Sequence, residues 1–318
     1  MKNILRVLIA LTCLLSVMGT FAYAEYPERP IKILIPYGAG GTTDIGVRML
    51  ASMIEKDLGQ PVVVENKPGA SGTIALAAGA KAAPDGYTLT AVTSSPCFIT
   101  PHLRNVSYNP VEDFVAIMNY SGPFHGITVP SSSGWTTFED LIKYGKENPN
   151  QGTYGTAGTF GGAHISMLYV EKLTGAKFTH LPFKGSAAAT AAILGEHVKF
   201  GIVPQYADHV RAGTFRVLAV LDGTRDPDFP DVPTLRDLGY DWEFASIVGF
   251  VAPKGTPSDI VSKLEKALTK AALTDEFKEF MTKANLPVRI MDSKEFGDVL
   301  KTNYNGYAKA IKELNLTQ

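Results

Sequence analysis

The sequence predicts an α/β protein made of two doubly wound lobes joined by a two-strand hinge, and three observations carry that prediction. Strand-like and helix-like stretches alternate through short loops from residue 31 onward, the signature of a doubly wound parallel sheet. The alternation breaks near residues 121–127 and then restarts, and an apolar strand near 245–251 leads back, so the chain crosses twice. A strand running into a glycine turn and then a helix occurs at residues 38–44 and again at 156–162. A chain of 318 residues has room for two domains of ordinary size. Residues 25–123 with 247–318 are assigned to lobe one and 124–246 to lobe two.

The first residues stand apart. Lys2 and Arg6 precede an apolar run over residues 7–18, and Ala22-Tyr23-Ala24 offers a small-residue cleavage site, which is the pattern of a secretory signal peptide. The run is too short for a transmembrane helix. Export to the periplasm with cleavage after Ala24 is expected, without a lipid anchor, because Ala10-Leu11-Thr12 is a poor lead-in to Cys13. Losing two cations and no acid takes the net charge from −1 to −3. With no block of like charge, nucleic acid and anionic membrane are not expected partners. Cys97 would be left alone, so no internal disulfide forms.

In lobe one, residues 31–36 read as a buried strand and 43–58 as a helix stopped by Gly59. Residues 61–65 make a second strand, 66–72 a second glycine-rich turn, 73–82 an Ala-rich helix and 87–93 a third strand ending in Ser94-Ser95-Pro96. Short strands at 114–120 and 126–130 follow. In lobe two, a helix over 137–148 is capped by Thr136 or Thr137, with Glu139 and Asp140 in its first turn. Strands at 152–156, 178–182, 200–204 and 216–220 alternate with helices at 163–174 and 187–194. A strand at 247–252 and helices at 257–272, 275–284 and 293–313 close the chain, with the last helices returning to lobe one.

Ligands of open α/β sheets lie beyond the carboxyl ends of the strands. A strand end, glycines that admit close backbone approach and an uncovered helix N-terminus together make an anion site. Neither glycine turn holds an arginine, which suits a carboxylate bound by backbone N–H groups. The candidate ligand contacts are Tyr37, Gly38, Ala39, Gly40, Gly41, Thr42 and Asp44 on lobe one, with Ser94 and Ser95 as either helix caps or hydroxyl donors. On lobe two they are Thr156, Ala157, Gly158, Thr159, Phe160 and Gly161, with Lys184 and Gln205 after later strands. Asp44 suits capping of backbone N–H groups or orienting a water, and Arg48 pairing with it. His164 reads as a satisfied structural histidine. Lys184 either attracts an anion or sits on the lobe surface. Phe160 either stacks on an aromatic ligand or fills space left by a smaller one.

Position 43 is Thr where a dinucleotide fingerprint needs its third glycine, and no Gly-Lys-Ser/Thr follows. There is no His-Glu-x-x-His, Cys-x-x-Cys or Gly-x-Ser-x-Gly, and the six histidines lack metal-ligand spacing. No cofactor and no metal are expected.

Several motifs, in order and spacing, resemble one family: YPERPIK at 26–32, IPYGAGGTTD at 35–44, GQPVVVENKPGASG at 59–72, APDGYTL at 83–89, YNPVEDF at 108–114, YGTAG at 154–158, His164, LPFKG at 181–185, DVPTLRDLG at 231–239 and APKGTP at 252–257. The chain is similar to the Bug family, the extracytoplasmic receptors of tripartite tricarboxylate transporters. The resemblance implies a type II periplasmic binding fold that closes on a small carboxylate; the expected ligand is a small organic acid, mono- or dicarboxylate, with aromatic acids included. It also implies delivery to a membrane permease and no enzymatic activity; a monomer is expected. A sensor receptor presenting its ligand to a membrane signalling protein, and a secreted α/β enzyme acting on a carboxylated metabolite, stand as other readings. The family's second turn reads like YGSxGxGSxxH. Here Thr156 stands for the first Ser, Phe160 for a Gly and Gly161 for a Ser.

Overall fold

A computed structural model describes residues 26–316 apart from 184, 205 and 285. The expected signal peptide, Lys184 and Gln205 lie outside the described residues. Two sheets organise the molecule. The first has the strand order β11-β4-β10-β3-β1-β2, with β1 Ile31–Ile35, β2 Val62–Asn66, β3 Thr88–Thr93, β4 Phe114–Ser121, β10 Val248–Pro253 and β11 Val288–Met291. The second has the order β7-β6-β8-β5-β9, with β5 Gly126–Pro130, β6 Gly152–Ala157, β7 Phe178–Phe183, β8 Phe200–Val203 and β9 Phe215–Val220.

Both sheets are mixed, not parallel as expected from sequence. β1, β2 and β3 run parallel, and so do β6, β7 and β8. β10 runs antiparallel to β3 and β4, and β5 antiparallel to β8 and β9. The strands that carry the chain between sheets enter from the opposite end, so they oppose their neighbours. The strand β11, four residues with Arg289 inside it, was not foreseen.

β1 sits inside its sheet because Ile31, Ile33 and Ile35 are all fully buried, the near-continuous apolar run of a strand covered on both faces. Helix α1, Thr42–Leu58, follows it and packs Val47, Leu50 and Ile54 into the same core, ending at Gly59 with φ +68°. The remaining helices are α2 Thr73–Ala80, α3 Thr100–Leu103, α4 Phe138–Glu147, α5 Gly162–Thr174, α6 Ser186–Leu194, α7 Ala207–Arg211, α8 Ser258–Ala272, α9 Asp275–Lys283 and α10 Ser293–Glu313. Cys97 lies in a wide helical turn, Ser95–Ile99, after β3 and is buried. None of the described helices is long and apolar enough to cross a membrane.

The two crossings run side by side. Val248 of β10 pairs with Ser121 at the end of β4. Gly122 has φ +156°, and a Cβ there would collide with the Ser246 carbonyl oxygen, so the backbones touch where the chain changes sheets. The Ser94 hydroxyl clamps this place, accepting from Ile247 N at 3.0 Å and donating to the Ala245 carbonyl at 3.2 Å. Helix α10 packs on β4, as expected of the C-terminal helices, and also reaches the second sheet's layer. Tyr307, fully buried, stacks on Phe98 and donates to the Gly162 carbonyl at 3.2 Å.

Candidate functional site

The carboxyl ends of β1, β2 and β3 share one edge of the first sheet, and those of β6, β7 and β8 share one edge of the second. The two glycine turns leave from these edges and repeat one geometry. Gly40 (φ +80°) and Phe160 (φ +57°) both adopt the left-handed conformation. The next residues, Gly41 and Gly161, are the helix N-caps at φ −75°, ψ 165° and φ −76°, ψ 170°. The side chain four residues after the left-handed one then bonds back to it. Gly40 N donates to Asp44 Oδ2 at 2.9 Å, and Phe160 N donates to His164 Nδ1 at 3.0 Å. Asp44 and His164 therefore brace equivalent loops from inside.

These braces leave the helix ends open. No side chain caps α1 or α5, and α6 likewise starts behind Gly185 without a cap. By contrast, Thr137, Thr274 and Asp292 cap α4, α9 and α10 with their own side chains. The first N–H groups of a helix have no intrahelical partner, so α1 and α5 offer donors and a positive dipole end. Helix α8, behind Pro257, is uncapped too but does not follow a glycine turn.

The electrostatics of the two turns differ. Burial works against the Asp44 charge, but hydrogen bonds from Arg48, Asn66 and Gly40 outweigh it and hold the carboxyl below its usual range. Arg48 Nε lies 3.0 Å from both carboxylate oxygens, and its Nη2 donates to Asn66 Oδ1 at 2.7 Å. Asn66 also donates to Asp44 Oδ1 and to the Tyr37 carbonyl. The first turn thus contains its own compensated ion pair. The second contains no acid in the first turn of its helix. Burial, then the neighbouring His180, pushes the His164 pKa down to about 4, and burial lowers that of His180. Hydrogen bonding defines the tautomers. His164 Nδ1 accepts, so its proton is on Nε2. Thr156 Oγ1 donates to the Gly158 carbonyl at 2.9 Å and accepts from His180 Nε2 at 2.8 Å. Both shifts favour the neutral ring, and the two rings stack at 3.7 Å.

The candidate residues divide accordingly. Gly38, Ala39, Gly40, Gly41 and Thr42 are exposed around the first turn, as are Ala157, Thr159 and Phe160 around the second, with Gly158 and Gly161 half-buried. Tyr37 is half-buried with its hydroxyl 2.9 Å from Thr93 Oγ1. Asp44, Ser94 and Thr156 are buried and committed to internal bonds, so each shapes the turn or the crossing from within. Ser95 has only a long contact to Thr100, 3.4 Å. His180 was not singled out from sequence, and Asn66 only as the start of the 66–72 turn, read as either a pocket wall or a plain turn. The partnership of Asn66 follows from β2 pairing beside β1, and that of His180 from its place opposite Tyr154 on β7. A surface hollow lined by Arg236, Glu243, Asp292 and Lys294 involves none of these turns. Among the described residues no group of His, Cys, Asp and Glu could hold a metal ion.

The family model described as the tripartite tricarboxylate transporter family receptor matches residues 47–316. The chain belongs to that receptor family. Its members are substrate-binding receptors of the TctC/Bug type, periplasmic binding proteins and not enzymes. Among curated relatives, the receptor is 37% identical to the "UPF0065 protein in gbd 5'region" of Cupriavidus necator over 96% of this chain and 93% of that one. Among solved structures, it is similar to a ligand-free TctC solute-binding protein from Polaromonas, with a TM-score of 0.84 at 30% identity, covering 91% of this chain and all of that one. An R. palustris protein solved with adipate matches with a TM-score of 0.67 at 27% identity, covering 92% and 99% of the two chains. A Rhodopseudomonas palustris protein with bound malate matches at 0.64 and 25% identity, covering 90% of this chain and all of that one. The likeness supports the α/β two-lobed periplasmic binding fold of the receptor.

Proposed function

We propose that this receptor captures a small organic carboxylate between the turns at 38–44 and 156–162 and presents it, lobes closed, to the permease of a tripartite tricarboxylate-type transporter. The observation that carries this reading is the matched pair of uncapped helix N-termini behind braced glycine turns, one on each sheet. Hydrogen bonds to a charged group contribute about 1.5–3 kcal/mol each, and a helix dipole about 0.3–1 kcal/mol more. Micromolar binding needs about 8 kcal/mol, so four or five such contacts plus burial of the ligand's carbon skeleton suffice after closure is subtracted. The relatives holding adipate and malate support the ligand class. The lobe boundaries at 123/124 and 246/247, export with cleavage after Ala24 and a monomeric state belong to the same proposal.

The test is a calorimetric and thermal-shift panel of mono- and dicarboxylates, with sugars, cations and amines as controls, on protein beginning at Glu25. At 100 times Kd, a true ligand raises the unfolding free energy by about 2.7 kcal/mol. Stabilisation by a control class and by no carboxylate would overturn the reading.

A further inference from the structure

The two turns share one backbone brace, in which Phe160 stands where the first turn has Gly40. At Gly40 the left-handed conformation is free of penalty. A bulky residue there is an outlier, and such outliers persist where the surroundings over-determine them. The surroundings of Phe160 do so. Its N–H is held by His164 Nδ1, and its ring lies 5.5 Å from that imidazole at an interplanar angle of 30°. Behind it the rings continue inward as one column. His164 stacks on His180 at 3.7 Å and 14°, His180 meets Tyr154 at 4.9 Å, and Tyr154 stacks on Phe200 at 5.3 Å. Tyr154 and Phe200 are fully buried and His164 nearly so, whereas Phe160 is 44% exposed. The column therefore begins in the core of the second sheet and ends with an aromatic face that no described residue covers, directly beside the open N-terminus of α5.

We infer that the exposed face of Phe160 is an aromatic subsite, and that the receptor selects carboxylic acids whose acid group is attached to or one carbon from a flat conjugated ring. The inference rests on the carboxylate reading above and narrows it. The ligand ring becomes the next member of the column while its carboxylate meets the free N–H groups of Gly162 and Ala163. His164 is the positioning residue, since it supports Phe160 through both ring and backbone. An aliphatic acid of equal size gains the contact area but not the offset-stacked geometry, which adds a preference of roughly 2- to 12-fold over area alone.

Matched pairs test this on the protein beginning at Glu25: benzoate against cyclohexanecarboxylate, and terephthalate against trans-cyclohexane-1,4-dicarboxylate, by calorimetry and by ultraviolet difference absorbance of the aromatic acid. The expected result is binding of both members of a pair, with the aromatic one about 3- to 10-fold tighter and its absorbance band reduced on binding. In Phe160→Leu, which keeps apolar bulk, the ratio should fall to near one and the band change should vanish. Phe160→Gly, which suits the left-handed backbone, should do the same and shows that the loss is not one of folding. Equal affinities within each pair in the parent protein, or a ratio unchanged in both variants, overturns the aromatic subsite and leaves the carboxylate reading standing. Binding of no acid in either series overturns the aromatic subsite, and the wider carboxylate panel decides the carboxylate reading.

Discussion

Asp44 carries a charge yet is almost wholly enclosed, and its three partners explain how. The carboxylate accepts from Gly40 N, Arg48 and Asn66, which offsets the loss of hydration that would otherwise neutralise it. Its pKa lies below the usual value, so its stabilising effect is fully present above the unfolded pKa near 3.9 and is lost as pH falls through the depressed folded value. Asp44→Asn should therefore lower the unfolding free energy by about 1–2 kcal/mol at pH 7. In urea melts the variant and parent should converge as pH falls below the depressed folded value. A constant difference across that range would mean that packing rather than charge is responsible. Because Gly40 loses its anchor, ligand affinity should fall as well. The equivalent brace in the second turn is uncharged, and the Asp/His exchange at 44 and 164 is the kind of difference a single sequence displays openly once the two turns are aligned.

Element positions were largely legible in the sequence because Gly, Pro and capping residues mark their ends, as at Gly59, Thr137 and Gly175. Strand direction was not, since whether β10 opposes β3 is decided by where the chain re-enters the sheet, a non-local matter. The five-residue α7 and four-residue β11 are too short for a periodicity. Nor could the sequence reveal His180 as the partner of Thr156, which depends on the β6–β7 register. Helix α5 holds a further group that only packing exposes. Glu171 is buried, its Oε1 has no partner among the described residues, and burial pushes its pKa up to about 7 despite Lys177 nearby. For an acid with a raised folded pKa, the unfolded chain releases its proton first. Stability from this group is greatest below pH 4.5, declines up to about pH 7 and is flat above. Glu171→Gln should gain roughly 1–3 kcal/mol at pH 8, after allowance for solvent screening, and little at pH 4.5. An equal gain at both pH values would remove ionisation as the cause.

At the scale of the molecule, the crossings at Gly122 and Ser246 are where any change in the angle between sheets must be absorbed. Their backbones touch, Ser94 ties one crossing to the end of β3, and Asn303 of α10 holds Ala245 N at 3.0 Å. Gly122→Ala places a Cβ against a main-chain oxygen at a φ that L residues rarely adopt, so it should cost about 2 kcal/mol or more. It should also enlarge the radius of gyration in small-angle scattering and blunt the contraction that the proposed closure on ligand predicts for the parent protein. A variant with unchanged stability and full contraction would show that the crossings are looser than their contacts indicate. Tyr307, bonded to Gly162 from across the molecule, places the start of α5 under the influence of the C-terminal helix as well.

Cys97 gives this architecture a practical side. It is the sole thiol among the described residues, enclosed behind β3, and burial pushes its pKa well above the ordinary range, so alkylating reagents that need an accessible thiolate pass it by. A cysteine introduced at exposed Ala39 or Thr159 would then be the one position a maleimide dye could reach. Fluorescence from that dye would follow the jaws in real time, and the native scaffold would need no prior removal of its own sulfur to serve as a tagged optical reporter of organic acids.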